Sequence, residues 1–420
     1  MSDLSLLFAT RTLRLFAYGF LAVVLALYLA AIGLSESQIG VLLALTLLGD
    51  AAVSLGITTR ADRVGRRRML LLGCGLMAGA GILFACTRNF FLLLVAGVLG
   101  VISPSGYEAG PFLAIEQAAL THAIHDRDRT RLFAWYHLSG GLATALGSLA
   151  GGWCVRGVGA LVGSELAGYR AVVFAYALIG FILALLVRRL TPAIEVPADD
   201  PSAERAAPAR LGLSESRGVI ARLSALFALD AFGGGFVVQS ILAYWFHLRF
   251  GLDASALGLL FFGANLLAAL SSLAAARIAA RIGLVNTMVF THLPSNLLLV
   301  AVPLIPNAWS AILLLLARFS ISQMDVPARQ SYTVAVVRPA ERSAAAGITN
   351  LARSLGAAVA PALVGPTLAS VAVAGAPLGL VGAPFFLAGG LKIVYDLLLW
   401  REFRAIKPPE ERREPPAKDV

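Results

Sequence analysis

Asp230 stands just before Gly233-Gly234-Gly235 inside an otherwise apolar run, and Glu108 lies in another among Pro104, Gly106, Gly110 and Pro111. Glycine and proline loosen a helix at such points. A carboxylate in this setting costs about 3 kcal/mol or more unless it faces a partner or a watery cavity. There it can take up a proton and exchange it for a solute. Asp230 and Glu108 are therefore expected at a central cavity; the alternative for each is a buried polar pair that fixes helix packing. Asp325 and Arg329 are four residues apart, as are Lys392 and Asp396. That spacing puts each pair on one helix face, as a structural ion pair. Gln239, Asn265, His292 and Asn296 are further polar residues inside apolar runs, and some must line any pathway. His292, two residues before Pro294, either carries protons or makes a helix hydrogen bond. Tyr107, next to Glu108, either stacks on a ring or packs between helices.

These residues need long apolar elements to hold them. The chain has 420 residues, 58% hydrophobic and 14% charged, where a soluble domain is about half apolar and a quarter charged. The apolar residues fall in blocks of about 20, the length of a bilayer-spanning helix. Twelve helices are expected, near residues 12–33, 39–59, 69–87, 90–120, 132–154, 169–188, 219–248, 255–277, 283–305, 308–336, 343–366 and 378–400. The fold class is thus an all-α membrane protein. The apolar run after Arg11 and Arg14 is long and has no clear cleavage site, so it reads as a first span that stays. Cys74, Cys86 and Cys154 lack CxxC spacing and read as packing residues.

Charge fixes the expected orientation. The net charge is +10, but the basic residues sit in loops between spans rather than interleaved with aromatics, so nucleic acid is not an expected partner. With the N-terminus inside, one face collects Arg11, Arg14, the cluster Arg60 to Arg68, Arg127, Arg129, Arg131, Arg188 and Arg189, while the other holds only Arg88, Arg156, Arg170 and Arg249. The positive-inside rule then puts both termini in the cytoplasm. Residues 191–217 form a polar linker between a bundle of six helices at 1–190 and a second at 218–402, and 403–420 form a tail. The halves repeat. AIGLSESQIG (31–40) matches RFGLDASALG (249–258), and at the same offset Arg63-Val64-Gly65 falls on Arg281-Ile282-Gly283. A second series sets Gln117 on Gln330, Arg129 on Arg342 and Gly152 on Gly365. Two colinear series point to duplicated halves.

Gly49, Asp62, Arg63, Gly65, Arg66, Arg67 and Arg68 resemble the signature loop of the major facilitator superfamily, D-R-x-G-R-R/K after a glycine in the second helix. The resemblance extends over the twelve spans, the linker and the repeated halves. It implies two pseudo-symmetric bundles rocking about a midplane site. It implies that Asp62 meets the N-terminal end of the eleventh helix, and that Arg66 or Arg67 bonds Asp126 or Asp128, latching the halves; the alternative is that these arginines only set topology. Gly147-Ser148-Leu149-Ala150-Gly151-Gly152 resembles an exporter motif with Ser148 in place of proline, and plain close packing is the alternative. Ser105 occupies the place that matches Arg318 in the second half, so the family's helix-4 arginine is missing. The expected function is proton-coupled efflux of a small organic molecule, with proton-coupled uptake as the runner-up and a membrane receptor or enzyme less favoured. Neither a Walker run nor an HExxH pattern occurs, so no cofactor and no metal are expected. The expected partners are the solute, protons and the bilayer of the inner (plasma) membrane, with the chain acting as a monomer.

Overall fold

The computed structural model describes residues 2–108, 110–122, 126–195, 216–338, 341–371, 373 and 375–406. These residues form helices joined by short turns, and among them ten helical segments are long and apolar enough to cross a membrane. The two other expected spans, near 90–120 and 308–336, are each divided into shorter helices. In the first half the helices are α1 (Asp3–Ala22), α2 (Leu25–Ala31), α3 (Glu36–Val64), α4 (Arg66–Cys86), α5 (Phe90–Leu99), α6 (Phe112–His122), α7 (Asp126–Val162) and α8 (Glu165–Val187). In the second they are α9 (Arg217–Gly235), α10 (Gln239–Phe250), α11 (Ala254–Ile282), α12 (Leu284–Ala301), α13 (Ala308–Phe319), α14 (Asp325–Ala335), α15 (Arg342–Val371), α16 (Leu378–Val381) and α17 (Ala383–Phe403).

The internal repeat is visible in the helix boundaries. α3 and α11 are both 29 residues long and occupy matching positions. Each begins after a polar cap, Ser35 or Asp253, whose side chain accepts from a backbone N–H three residues on. Each ends at a glycine with positive φ, Gly65 at 110° and Gly283 at 84°. A side chain would strain that conformation, so both halves turn on glycine before the next helix. Both helices run past the expected 39–59 and 255–277, because their charged last turns stay helical.

The first, fourth, seventh and tenth expected spans are interrupted rather than continuous. Their breaks lie at Val23–Val24, 100–111, 236–238 and 320–324. A break leaves backbone groups unpaired at membrane depth, and these need protein partners. Ser240 supplies several: its N–H and Oγ donate to the Pro104 carbonyl at 3.0 and 2.8 Å, and its Oγ also reaches the Ala22 carbonyl at 2.8 Å. One serine at the seventh-span break thus serves the breaks of the first and fourth, across the boundary between halves. The Tyr176 hydroxyl donates to the freed Val101 carbonyl.

The first helix also starts earlier than expected, at Asp3 behind an N-cap Ser2. Arg11 and Arg14 therefore sit inside the bundle, 4% and 0% exposed, rather than in a flanking loop. The topological reading of these two arginines is corrected. They are tolerated at depth because carboxylates meet them there.

At the face away from the termini, the halves touch backbone to backbone. A methyl added at Gly152 of α7 would lie 2.2 Å from the Ala254 carbonyl oxygen of α11, and one at Gly365 of α15 would lie 2.6 Å from the Glu36 carbonyl oxygen of α3. At their partners Gly258 and Gly40 an added methyl would lie 2.9 and 2.5 Å from the Ser148 and Pro361 carbonyl oxygens. The stretch ending at Gly152 is thus a close-packing surface. The two seams are copies of each other, since Gly152 matches Gly365 and Gly258 matches Gly40 in the repeat.

Candidate functional site: two buried charge networks beside the seam

The second half is organised around Asp230, which is 3% exposed. Its Oδ1 accepts from Lys392 Nζ at 2.6 Å, and its Oδ2 accepts from Arg353 at 3.1 Å and Arg329 at 3.3 Å. His292 Nε2 lies 3.7 Å from Oδ1. Five helices converge here: α9 brings Asp230, α12 His292, α14 Arg329, α15 Arg353 and α17 Lys392. Arg329 also bonds Asp325, one turn earlier, at 2.9 Å. The expected Asp325–Arg329 pair thus forms, but it opens into a larger network.

Lys392 and Asp396 part company. Lys392 turns to Asp230, while Asp396 meets His292 Nδ1 at 2.9 Å and Asn296 Nδ2 at 2.9 Å. Spacing permits a contact between residues four apart, but tertiary partners decide it. Asp230, with Lys392, Arg329 and Arg353 crowding it, draws the lysine away.

The first half holds a separate network. Arg14 bonds Glu108 at 2.7 Å and Glu116 at 2.7 Å, and Arg11 bonds Glu108 at 2.8 Å. Tyr136 donates its hydroxyl to Glu116 at 2.5 Å, while its carbonyl accepts from Arg11 Nε at 3.0 Å. The Arg11 guanidinium covers the Tyr136 ring at 4.3 Å and Arg14 covers Phe112 at 4.4 Å. Glu108 is therefore a clamped ion-pair partner and not a lone carboxylate. The sequence signal for Arg11, Arg14 and Glu116 was the i, i+3 arginine spacing and a glutamate in an apolar helix, but the arginines' place before the first long apolar run hid it.

Between the networks, at the seam, Gln239 Nε2 donates to Ser148 Oγ at 3.3 Å, and Asn265 Nδ2 donates to Ser148 Oγ at 3.1 Å and to Gln239 Oε1 at 3.0 Å. Gln239 and Asn265 thus bond each other and the opposite half. Tyr107 stands in the fourth-span break, 38% exposed, with its carbonyl accepting from Ser103 Oγ at 2.6 Å.

At the face that carries the termini, Asp62 pairs with Arg66 at 2.9 Å and its side chain is 61% exposed. The backbone N–H groups of Arg66 and Arg67 donate to Glu195 at 2.6 and 3.1 Å, and the Arg66 and Arg67 guanidinium groups reach the Ile194 and Leu190 carbonyls. Glu195 is a carboxylate on a helix N-terminus, a favourable site for an anion. Thr191 bonds Asp3 on the same face. Arg63 lies in the last turn of α3, just before the Gly65 turn. The side chains of Asp126 and Asp128 lie outside the described residues. Among the described residues no cluster of His, Cys, Asp and Glu suits a metal ion.

The comparisons with known proteins agree with this geometry. A family model described as Major Facilitator Superfamily matches residues 7–361. "Uncharacterized membrane protein YJR124C" of Saccharomyces cerevisiae is 32% identical over 391 residues, 86% of this chain and 87% of that protein. "Quinolone resistance protein NorA" of Staphylococcus aureus is 32% identical over 85 residues, 20% of this chain and 22% of that one. Among solved structures, a bacterial homolog of the human lysosomal transporter Spinster, inward-facing and occupied, superposes with a TM-score of 0.73 over 96% of this chain and 97% of that one, at 18% identity. With the family model spanning most of the sequence and the repeated halves visible in the helices, the chain belongs to the major facilitator superfamily of membrane transporters.

Proposed function

We propose that the protein is a proton-coupled exporter of a small organic molecule, working by alternating access. The observation that carries this reading is the Asp230 network: one carboxylate shared by Lys392, Arg329 and Arg353 beside the boundary between halves. A proton arriving on Asp230 releases those cations together, and their rearrangement is what couples proton movement to rocking of the halves. The local match to a quinolone resistance protein supports the outward direction.

In this reading residues 1–190 and 218–402 are the moving bundles, 191–217 is the linker and 403–420 the tail. The chain is a monomer in the inner (plasma) membrane with both termini cytoplasmic, as the arginine-rich terminal face supports. The glycine seams then close the outer side. Asp62, Arg63, Gly65, Arg66 and Arg67 form the latch of the opposite state, in which Asp62 reaches the α15 N-terminus and an arginine reaches Asp126 or Asp128. The test is a flux assay on the purified chain in liposomes, with a quinolone and other small organic solutes under an imposed pH gradient. Solute leaving against its gradient as protons enter is the expected result. Solute moving with the protons would mean uptake, and flux indifferent to pH would remove proton coupling. Asp230→Asn is expected to stop gradient-driven flux; wild-type flux in that variant would take the proton from Asp230.

A further inference from the structure

Arg318 is a charged interior group that neither network includes. It lies near the end of α13, eleven residues into a helix that begins at Ala308, which puts it about 16 Å along the helix, near mid-bilayer. Among the described residues it makes no hydrogen bond and no ion pair; its guanidinium lies over the Phe319 ring at 4.8 Å, and its Nε is shut off from solvent without a partner. On α13 it shares a helix face with Ala311 and Leu315, both fully buried, opposite the exposed Trp309 and Leu313. Its side chain therefore leaves the helix on the side of the protein interior and not of lipid. Snorkelling to a membrane surface is excluded by depth.

The carboxylates nearby are already taken. Asp230 holds Lys392, Arg353 and Arg329, and Asp325 holds Arg329. A guanidinium at this depth without a counter-charge is costly. Its planar fork of N–H donors matches a carboxylate or phosphate group. In the repeat Ser105 takes the place of Arg318, and two residues on, in the matching break of the fourth span, Tyr107 is 38% exposed, a surface for the apolar body of a solute. The two breaks thus present an anion anchor on one side and a ring on the other.

We infer that the transported solute is an organic anion, its carboxylate or phosphate seated on Arg318 and its apolar body against Tyr107. This inference deepens the exporter reading and rests on it for the word "transported"; the binding chemistry stands by itself.

The test is thermal unfolding of the purified full chain in detergent at constant ionic strength. The probes are benzoate, phenyl phosphate, lysophosphatidate below its micelle concentration, and neutral benzamide. At least one anion is expected to raise the melting temperature and benzamide to leave it unchanged, with affinity falling about tenfold or more in Arg318→Gln. Lysophosphatidate alone would assign a lipid anion; benzoate or phenyl phosphate would assign a water-soluble one. Arg318→Met without ligand is expected to melt no lower than wild type, since no bonded partner is lost. Three results would overturn the inference: no anion protects the wild type, protection survives undiminished in Arg318→Gln, or Arg318→Met melts well below wild type. Anion binding without flux in liposomes would remove the exporter reading alone, and flux of benzamide without anion binding would remove only the anion site.

Discussion

The two halves share a scaffold and differ in their charges. Both turn on a positive-φ glycine at the same place, Gly65 or Gly283, and both have an interrupted first and fourth helix. Yet the first half pairs Arg11 and Arg14 with Glu108 and Glu116, each ion facing an opposite one. In the second, Lys392, Arg329 and Arg353 crowd one carboxylate while Arg318 stays unpaired. A balanced, closed network can serve as a rigid wall. A network in which several cations share one anion has alternative arrangements of similar energy, which a switching element needs. Duplication supplied the frame, and the charges assigned different tasks to its copies.

That contrast can be broken experimentally. The largest effect is expected from Asp230→Asn, which leaves three cations short of a partner: folded stability should fall by about 3 kcal/mol and proton-driven flux by about 100-fold or more. Adding Lys392→Met should restore part of the melting temperature and none of the flux. If flux returned with stability, Asp230 would be structural and the contrast would collapse. Glu116→Gln should cost similar stability, about 3 kcal/mol, yet leave flux per folded molecule within about tenfold of wild type. A loss as deep as that of Asp230→Asn would show that the first half also switches.

Smaller effects test the seam and the terminal face. Gly152→Ala forces a methyl against the Ala254 carbonyl, an overpacking worth about 1–3 kcal/mol. It should raise thiol labelling of a single cysteine placed at the start of α11, in a background lacking Cys74, Cys86 and Cys154; unchanged labelling would mean that the seam does not gate. Asp62→Asn should be the mildest, at most about 1 kcal/mol, because its present ion pair is exposed. A latch predicts that this variant also loses labelling protection on the cytoplasmic side when the outer side opens.

Much of the frame was legible in the sequence. Gly33, Gly40, Gly65 and their counterparts at 251, 258 and 283 mark a repeat that reappears in the helix ends. The breaks were only half legible: Gly233-Gly234-Gly235 and Pro104 announce two of them, whereas Val23–Val24 and 320–324 carry neither glycine nor proline. The first of these is met by a tertiary bond from Ser240, which no local propensity encodes. At the site, Asp230, His292 and Asp325 stood out as ions or polar groups in apolar runs. Lys392 stood out too, but with Asp396 as its expected partner, and Arg353 did not, because both approach Asp230 from helices more than 100 residues away. Arg11 and Arg14 looked like anchors of a membrane edge because the positive-inside rule counts arginines without asking whether glutamates await them.

The twin glycine contacts carry a mechanical consequence. Each brings the main chains of the same two bodies together, and the side-chain bonds beside them are few: Gln239 and Asn265 to Ser148 at one, Tyr244 to Glu36 at the other. Neither can part while the other stays shut. A wedge driven into one copy should therefore pry both apart, and a cross-link across either should hold the whole doorway on the face away from the termini.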